Sequence, residues 1–277
     1  MCLIVLAWRT HPSYRLIVAA NRDEYFGRPA APASFWDDHT KVLAGRDLEA
    51  GGTWLGITLD GRFAALTNYR KPADRKTGAP SRGALVSDFL TGKTAPLEYL
   101  QDVEQGAVNY NGFSLLIGDA ASLYFLSNRG GAITRVEPGI HGLSNHLLDT
   151  PWPKIERGKA RLAQQLDKTF DFEAAFRFLE DTERAPSGEL PSTGVSLELE
   201  ERLSAIRILA AGGYGTRCST VLCFGEEGRI EFHERSYRED GGVSGTVSYR
   251  LTLEQGKARA SSRRAESPPR KTPLPAR

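Results

Sequence analysis

The chain has 277 residues, 40% hydrophobic and 25% charged, which is ample for one large buried core. Its net charge is +2, yet residues 256–277 hold seven Lys or Arg against one acid, and the first 255 carry 29 basic and 33 acidic residues. The body is therefore slightly acidic, and no nucleic-acid partner is expected.

The first apolar run, Cys2-Leu3-Ile4-Val5-Leu6-Ala7-Trp8, is too short for a membrane span and lacks the basic flank of a secretory signal. No transmembrane segment and a cytoplasmic location are expected. Strands are predicted over Leu3–Trp8 and Tyr14–Ala20, around a polar turn at Thr10-His11-Pro12-Ser13. Trp54–Leu59 and Arg62–Thr67 flank Asp60-Gly61, a strong hairpin signal, and Gly112–Ile117 with Leu123–Ser127 repeat the arrangement, with Ile133–Val136 following as a third strand. Helices are predicted over Arg82–Leu90, Pro153–Leu166 and Asp171–Asp181, where Phe172, Ala175, Phe176 and Leu179 recur at helical spacing. A polar loop over Glu183–Thr193 precedes a further helical pattern at Leu197–Leu209. Thr216–Phe224 and Arg229–Tyr237 form another hairpin, Val247–Leu253 a last edge strand, and residues 256–277 a disordered basic tail. Hairpins interrupted by helices imply an α+β fold of antiparallel sheets with helices stacked outside, in one domain over residues 1–255.

Three cysteines, at positions 2, 218 and 223, show neither a CxxC pair nor a histidine in metal-ligand spacing, so no disulfide framework, metal or cofactor is expected. Cys218 and Cys223 lie five apart in one strand-like run and face opposite sides of it. Gly51-Gly52 lacks a following Lys-Ser/Thr, so it is a turn and no phosphate loop.

Cys2 is different because of where it stands. If Met1 is trimmed, thiol and α-amine share one residue, with unperturbed pKa values of about 8.5 and about 7.7–8.0, so the amine can serve as the thiol's base. Position alone favours a small apolar residue opening a buried strand. The first hairpin, however, brings the start of strand one to the end of strand two, making Asn21-Arg22-Asp23-Glu24 a neighbour of Cys2. Asp23 then has two readings: a rim salt bridge with a nearby arginine, or the acceptor that orients the N-terminal ammonium.

Several segments occur together in order: Cys2 followed by a strand, Asn21-Arg22-Asp23-Glu24, Gly45-Arg46-Asp47, Gly51-Gly52-Thr53-Trp54-Leu55-Gly56, Leu66-Thr67-Asn68-Tyr69-Arg70, Gly142-Leu143-Ser144-Asn145 and Tyr214-Gly215-Thr216-Arg217. On these the chain resembles the NRDE family, also called transport and Golgi organisation protein 2-like, over residues 1 to about 240. That family in turn resembles N-terminal nucleophile (Ntn) hydrolases of the choloylglycine hydrolase and penicillin V acylase group. The resemblance implies a four-layer αββα sandwich, two antiparallel sheets between helix layers.

It also implies roles: Cys2 as nucleophile, Asp23 as the carboxylate at its amine, Asn68 as oxyanion donor, Asn145 steadying the tetrahedral intermediate, and Arg217 near the thiol. Asn21, Trp54 and Tyr69 are expected at the substrate, with Trp54, Tyr69 and Trp152 giving an apolar lining. The hydrolase group commonly has an arginine three residues before the aspartate, where this chain has Ala20; Arg22 shares that strand face and either replaces it or marks a loss of hydrolysis. The implied activity is cleavage of a linear amide or related acyl bond through an acyl-Cys2 intermediate. The alternative is a non-catalytic carrier of haem, acyl-coenzyme A or lipid in the same pocket.

Overall fold

The computed structural model describes residues 2–167, 169–225, 228–254 and 257–262. Two apolar patterns of period two start the chain: β1, Cys2–Trp8, and β2, Tyr14–Tyr25, pair antiparallel with Cys2 opposite Arg22 and Trp8 opposite Leu16. Alternation divides their side chains. Ile4, Leu6, Val18 and Ala20 enter one core, while Leu3, Val5, Ile17 and Ala19 enter another.

The second sheet is a meander built from consecutive strands: β3 (Ala30–Phe35), β4 (Val42–Asp47), β5 (Leu55–Thr58), β6 (Phe63–Asn68), β7 (Phe113–Gly118), β8 (Leu123–Ser127) and β9 (Thr134–Arg135). The chain then returns through β10, Gly139–Leu143, to the free side of β1. With β11 (Tyr214–Gly225), β12 (Arg229–Tyr237), β13 (Val243–Glu254) and β14 (Lys257–Ser262), the first sheet has the order β10-β1-β2-β11-β12-β13-β14. β13 is thus not the edge strand, and β14 lies within residues 256–277, which the sequence reads as a disordered tail. The remainder of that segment lies outside the described residues.

Between α-helical layers the two sheets face each other. Ile57, Phe63 and Leu116 of one sheet meet Leu6, Val18 and Leu222 of the other in a shared apolar core. On the outer face of the first sheet lie α3 (Pro153–Ala163) and α4 (Phe172–Leu179), which bury Ile155, Leu162, Phe176 and Leu179 against Val5, Ile17 and Val221. α1 (Gly83–Thr91) and α2 (Pro96–Gly106) cover the second sheet with Val86, Phe89 and Leu100 against Ala64, Leu115 and Ile117. A short helix, α5 (Leu197–Leu203), capped by Ser196, completes the set. The result is a four-layer αββα sandwich.

β3, β4, α2 and β10 have no counterpart among the predicted elements. β3 carries Pro32 where its register with β4 breaks, between Ala31 and Ser34, as an edge position permits. β10 contains two glycines, which weaken any strand pattern. One has a packing reason, because a Cβ on Gly142 would stand 2.4 Å from Ile155 Cγ2. That close approach seats α3 on the β1–β10 pair.

Candidate active site

The first sheet ends in a cleft of about 340 Å³ at the tip of β1, lined by Cys2, Arg22, Asp23, Trp54, Asn68 and Arg82 among others. Cys2 is half-buried on the intersheet face, two and four residues before the core side chains Ile4 and Leu6. Ala20 stands opposite Ile4, whereas Arg22 stands opposite Cys2. Arg22 is therefore the arginine nearest the thiol in register. Its guanidinium lies 4.0 Å from the Trp54 ring centroid and 3.9 Å from Asp47 Oδ2, in a pocket that leaves 6% of it exposed.

Trp54 owes its place to a glycine. A Cβ on Gly45 would come within 2.4 Å of the indole, so Gly45-Arg46-Asp47 leaves the room into which Gly51-Gly52-Thr53-Trp54 folds. The intervening turn is held by Asp47, whose Oδ1 accepts from the amides of Glu49 at 3.1 Å and Ala50 at 3.0 Å. Its other oxygen accepts from Arg28 Nε at 2.7 Å. Two of the recurring sequence segments thus form one wall.

Asp23 is 1% exposed, and its Oδ1 accepts from Thr216 Oγ1 at 2.6 Å. Its backbone carbonyl accepts from Tyr214 Oη at 3.1 Å, so Tyr214-Gly215-Thr216 grips both ends of this residue. Burial pushes the Asp23 carboxyl above its ordinary range, opposed by Lys154 and by the Thr216 hydroxyl. The Cys2 thiol is likewise pushed up by burial, further by the Asp23 carboxylate, while Arg22 pulls it down.

From the other sheet, β6 delivers Asn68 to the cleft. Asn145 is fully buried and does not line it; its Nδ2 donates to the Asn68 carbonyl at 2.8 Å. Next to it, Ser144 Oγ donates to the Cys2 carbonyl at 2.9 Å, and Thr67 Oγ1 donates to the Ser144 carbonyl. Gly142-Leu143-Ser144-Asn145 is thereby a clasp joining the tips of β1 and β6.

Three expected residues lie elsewhere. Arg217 sits at a bulge between Thr216 and Cys218 that turns it away from the cleft: its Nη1 donates to the carbonyls of Tyr25 at 2.7 Å and Arg28 at 2.9 Å. Tyr69 gives its hydroxyl to a 2.6 Å contact with His146 Nε2, whose ring in turn stacks near Trp152, so this aromatic group lies outside the cleft lining. Asn21 faces the helices, donating to the carbonyls of Leu179 at 2.8 Å and Ile206 at 2.9 Å and accepting from Ser219 Oγ at 2.6 Å. Asn21→Ala strands two carbonyls in the core, takes one of two partners from the Ser219 hydroxyl, and is expected to cost about 3 kcal/mol in urea unfolding. The rate of Cys2 modification in the folded variant should stay within about twofold, since only groups behind the sheet are lost.

Other residues at the site carry little sequence signal. Arg82, half-buried at the head of α1, donates to the Gly112 carbonyl at 3.0 Å and makes no salt bridge among the described residues. Beneath the cleft, Arg70 and Glu200 form a buried ion pair, with 6% and 3% of their side chains exposed. Lys154, one residue after the proline that opens α3, is buried beside them. Arg22, Glu24, Arg28, Asp47 and Arg82 give the cleft a largely charged lining, in which Trp54 takes part and the expected Tyr69 and Trp152 do not. Cys218 and Cys223 are free and buried. Among the described residues no group of three or more His, Cys, Asp or Glu is placed to hold a metal ion, and no helix is long and apolar enough to cross a membrane.

Fold and site together define an αββα sandwich with a cysteine at the tip of a strand in one of its two sheets, a buried carboxylate beside it and a polar cleft in front. The chain belongs to the Transport and Golgi organisation 2 family, whose profile matches residues 1–239. The human Transport and Golgi organization protein 2 homolog is 35% identical over 276 residues, covering 92% of this chain and 100% of the human one. The mouse homolog is 34% identical with the same coverage, and the Drosophila melanogaster protein is 28% identical over 85% of this chain and 92% of its own. Among solved structures, the Caenorhabditis elegans N-acylethanolamine-hydrolyzing acid amidase ortholog has a TM-score of 0.47 at 10% identity, covering 80% of this chain and 92% of that one. A variant of the conjugated bile acid hydrolase from Clostridium perfringens has a TM-score of 0.40 at 10% identity, covering 98% and 100%. Family and fold class are those implied by the recurring segments.

Proposed function

We propose that this protein is an N-terminal-nucleophile hydrolase or acyltransferase that opens a linear amide or related acyl bond through an acyl-Cys2 intermediate. The observation that carries this reading is the meeting of Cys2, Arg22, Asp23 and Asn68 at one cleft, from strands of both sheets. Removal of Met1 gives Cys2 an α-amine. The thiol proton passes to that amine, the thiolate attacks the acyl carbon, and the resulting ammonium is held by the Asp23 carboxylate. Proton return to the leaving group releases it, and water or another acceptor then resolves the thioester.

Asn68 supplies the donor for the oxyanion, a contribution of roughly 3–4 kcal/mol when such a donor is fixed in advance. Asn145 acts on Asn68 through its carbonyl, and so positions the donor instead of touching substrate. Arg22 takes the place of the arginine missing at Ala20 and favours the thiolate. Arg22, Arg28 and Arg82, with Glu24 and Asp47, give the cleft a lining better suited to a polar or ionised acyl or amide substrate than to a purely apolar ligand.

Intact-mass measurement before and after treatment with a thiol-directed acylating probe tests the reading. The expected result is a chain lacking Met1 that gains one acyl group, mapped to Cys2. Retention of Met1, or an unmodified Cys2 in the folded protein, would sink it.

A further inference from the structure

Lys154 has no place in the steps above, and its setting is costly. It is the second residue of α3, 1% exposed, with an Nζ that makes no hydrogen bond among the described residues. Burial of a cation is unfavourable, and the first turn of a helix, where the dipole is positive, makes it more so. Sequence gives no reason for a lysine here. An alanine or serine after Pro153 would start the same helix without that penalty.

The charged and titratable groups facing Lys154 come from four elements: Asp23 from β2, Arg70 from the segment after β6, Cys2 from β1 and Glu200 from α5. Tyr214 of β11 faces Asp23, Cys2 and Arg70 in turn. Glu200 is bound by Arg70 and accepts from the Thr193 amide at 2.8 Å. Asp23 is the carboxylate that acts most strongly on Lys154. Burial lowers the ammonium to about 8, which leaves it mostly charged at neutral pH.

We propose that Lys154 is a positioning residue for the nucleophile: it balances the Asp23 carboxylate from the helix side, so that the α-amine of a processed Cys2 stays uncharged and takes the thiol proton. The inference rests on the reading of Cys2 as a processed nucleophile. In the step concerned, the S–H bond of Cys2 breaks and an N–H bond forms on its own amine, giving thiolate and ammonium with no further reactant. Without Lys154 the Asp23 carboxylate, which already pushes the Cys2 thiol up, acts on it unopposed from the helix side, and the pH at which the thiolate forms rises.

The test is the pH dependence of Cys2 alkylation by iodoacetamide, followed by mass spectrometry on the full chain. In Lys154→Met the midpoint should rise by about one unit, with roughly tenfold slower modification at pH 7. Lys154→Arg, which keeps the charge, should return toward the wild-type profile. A merely structural lysine would change the unfolding midpoint and leave the pH profile where it was, and that outcome overturns the proposal. Should Lys154→Met fail to fold, Lys154→Met combined with Asp23→Asn removes both charges and is expected to restore folding. A double variant no more stable than Lys154→Met overturns the coupling. An unreactive wild-type Cys2 overturns the nucleophile reading and this role with it, whereas a reactive Cys2 with an unshifted Lys154→Met profile overturns only the role of Lys154.

Discussion

Cys2→Ala is expected to abolish covalent turnover, by on the order of 10⁴-fold or more in kcat/KM, because the proposed acyl intermediate forms on the Cys2 thiol. The other two thiols cannot take its place: Cys218 and Cys223 are buried, and burial pushes both well up. Stability should hardly change. The Cys2 side chain is half-buried at a strand tip, and its one contact to the clasp runs through its carbonyl, which alanine keeps. A loss of activity with an unfolding midpoint within about 0.5 kcal/mol of the parent would assign the effect to chemistry. Release of p-nitrophenolate from p-nitrophenyl acyl esters, read as a burst followed by steady turnover, measures both acylation and its resolution. A Cys2→Ala variant that still shows the burst would end the nucleophile reading.

The convergence of Cys2 with Asp23 was legible because it follows from one hairpin: a turn near Pro12 and period-two alternation suffice to put Cys2 opposite Arg22. The β5–β6 and β7–β8 hairpins were legible for the same local reason, and Gly61 takes the positive φ of 87° that its turn requires. What escaped was non-local. Nothing near Asn21 in sequence announces the carbonyls of Leu179 and Ile206, and a one-residue bulge after Thr216 is enough to send Arg217 away from the site it was expected to serve. Lys154 reads as an ordinary solvated lysine in an amphipathic helix. Only the packing of α3 against β1 and β10, through Gly158 on Val5 and Ile155 on Gly142, carries it toward Cys2 and Asp23.

Glu200→Gln is expected to cost about 3–5 kcal/mol of stability. The side chain keeps its shape, so packing is preserved and the effect isolates the charge. Arg70 would then be a buried cation without its ion-pair partner, facing Lys154. Replacing both members of the pair, Arg70→Met with Glu200→Met, removes the stranded charge and should be less destabilising than Glu200→Gln alone, because an ion pair in the interior gains little beyond its own desolvation. Urea unfolding of the three proteins gives the comparison, and a Glu200→Gln cost below about 1 kcal/mol would mean that water reaches the pair. The consequence extends to the cleft. Arg70 donates its backbone amide to the Asn145 carbonyl at 2.8 Å, and Asn145 in turn holds Asn68. Loosening Arg70 therefore slackens the donor side of the site, and the folded fraction of Glu200→Gln should acylate more slowly while its Cys2, on the opposite sheet, keeps its rate with iodoacetamide.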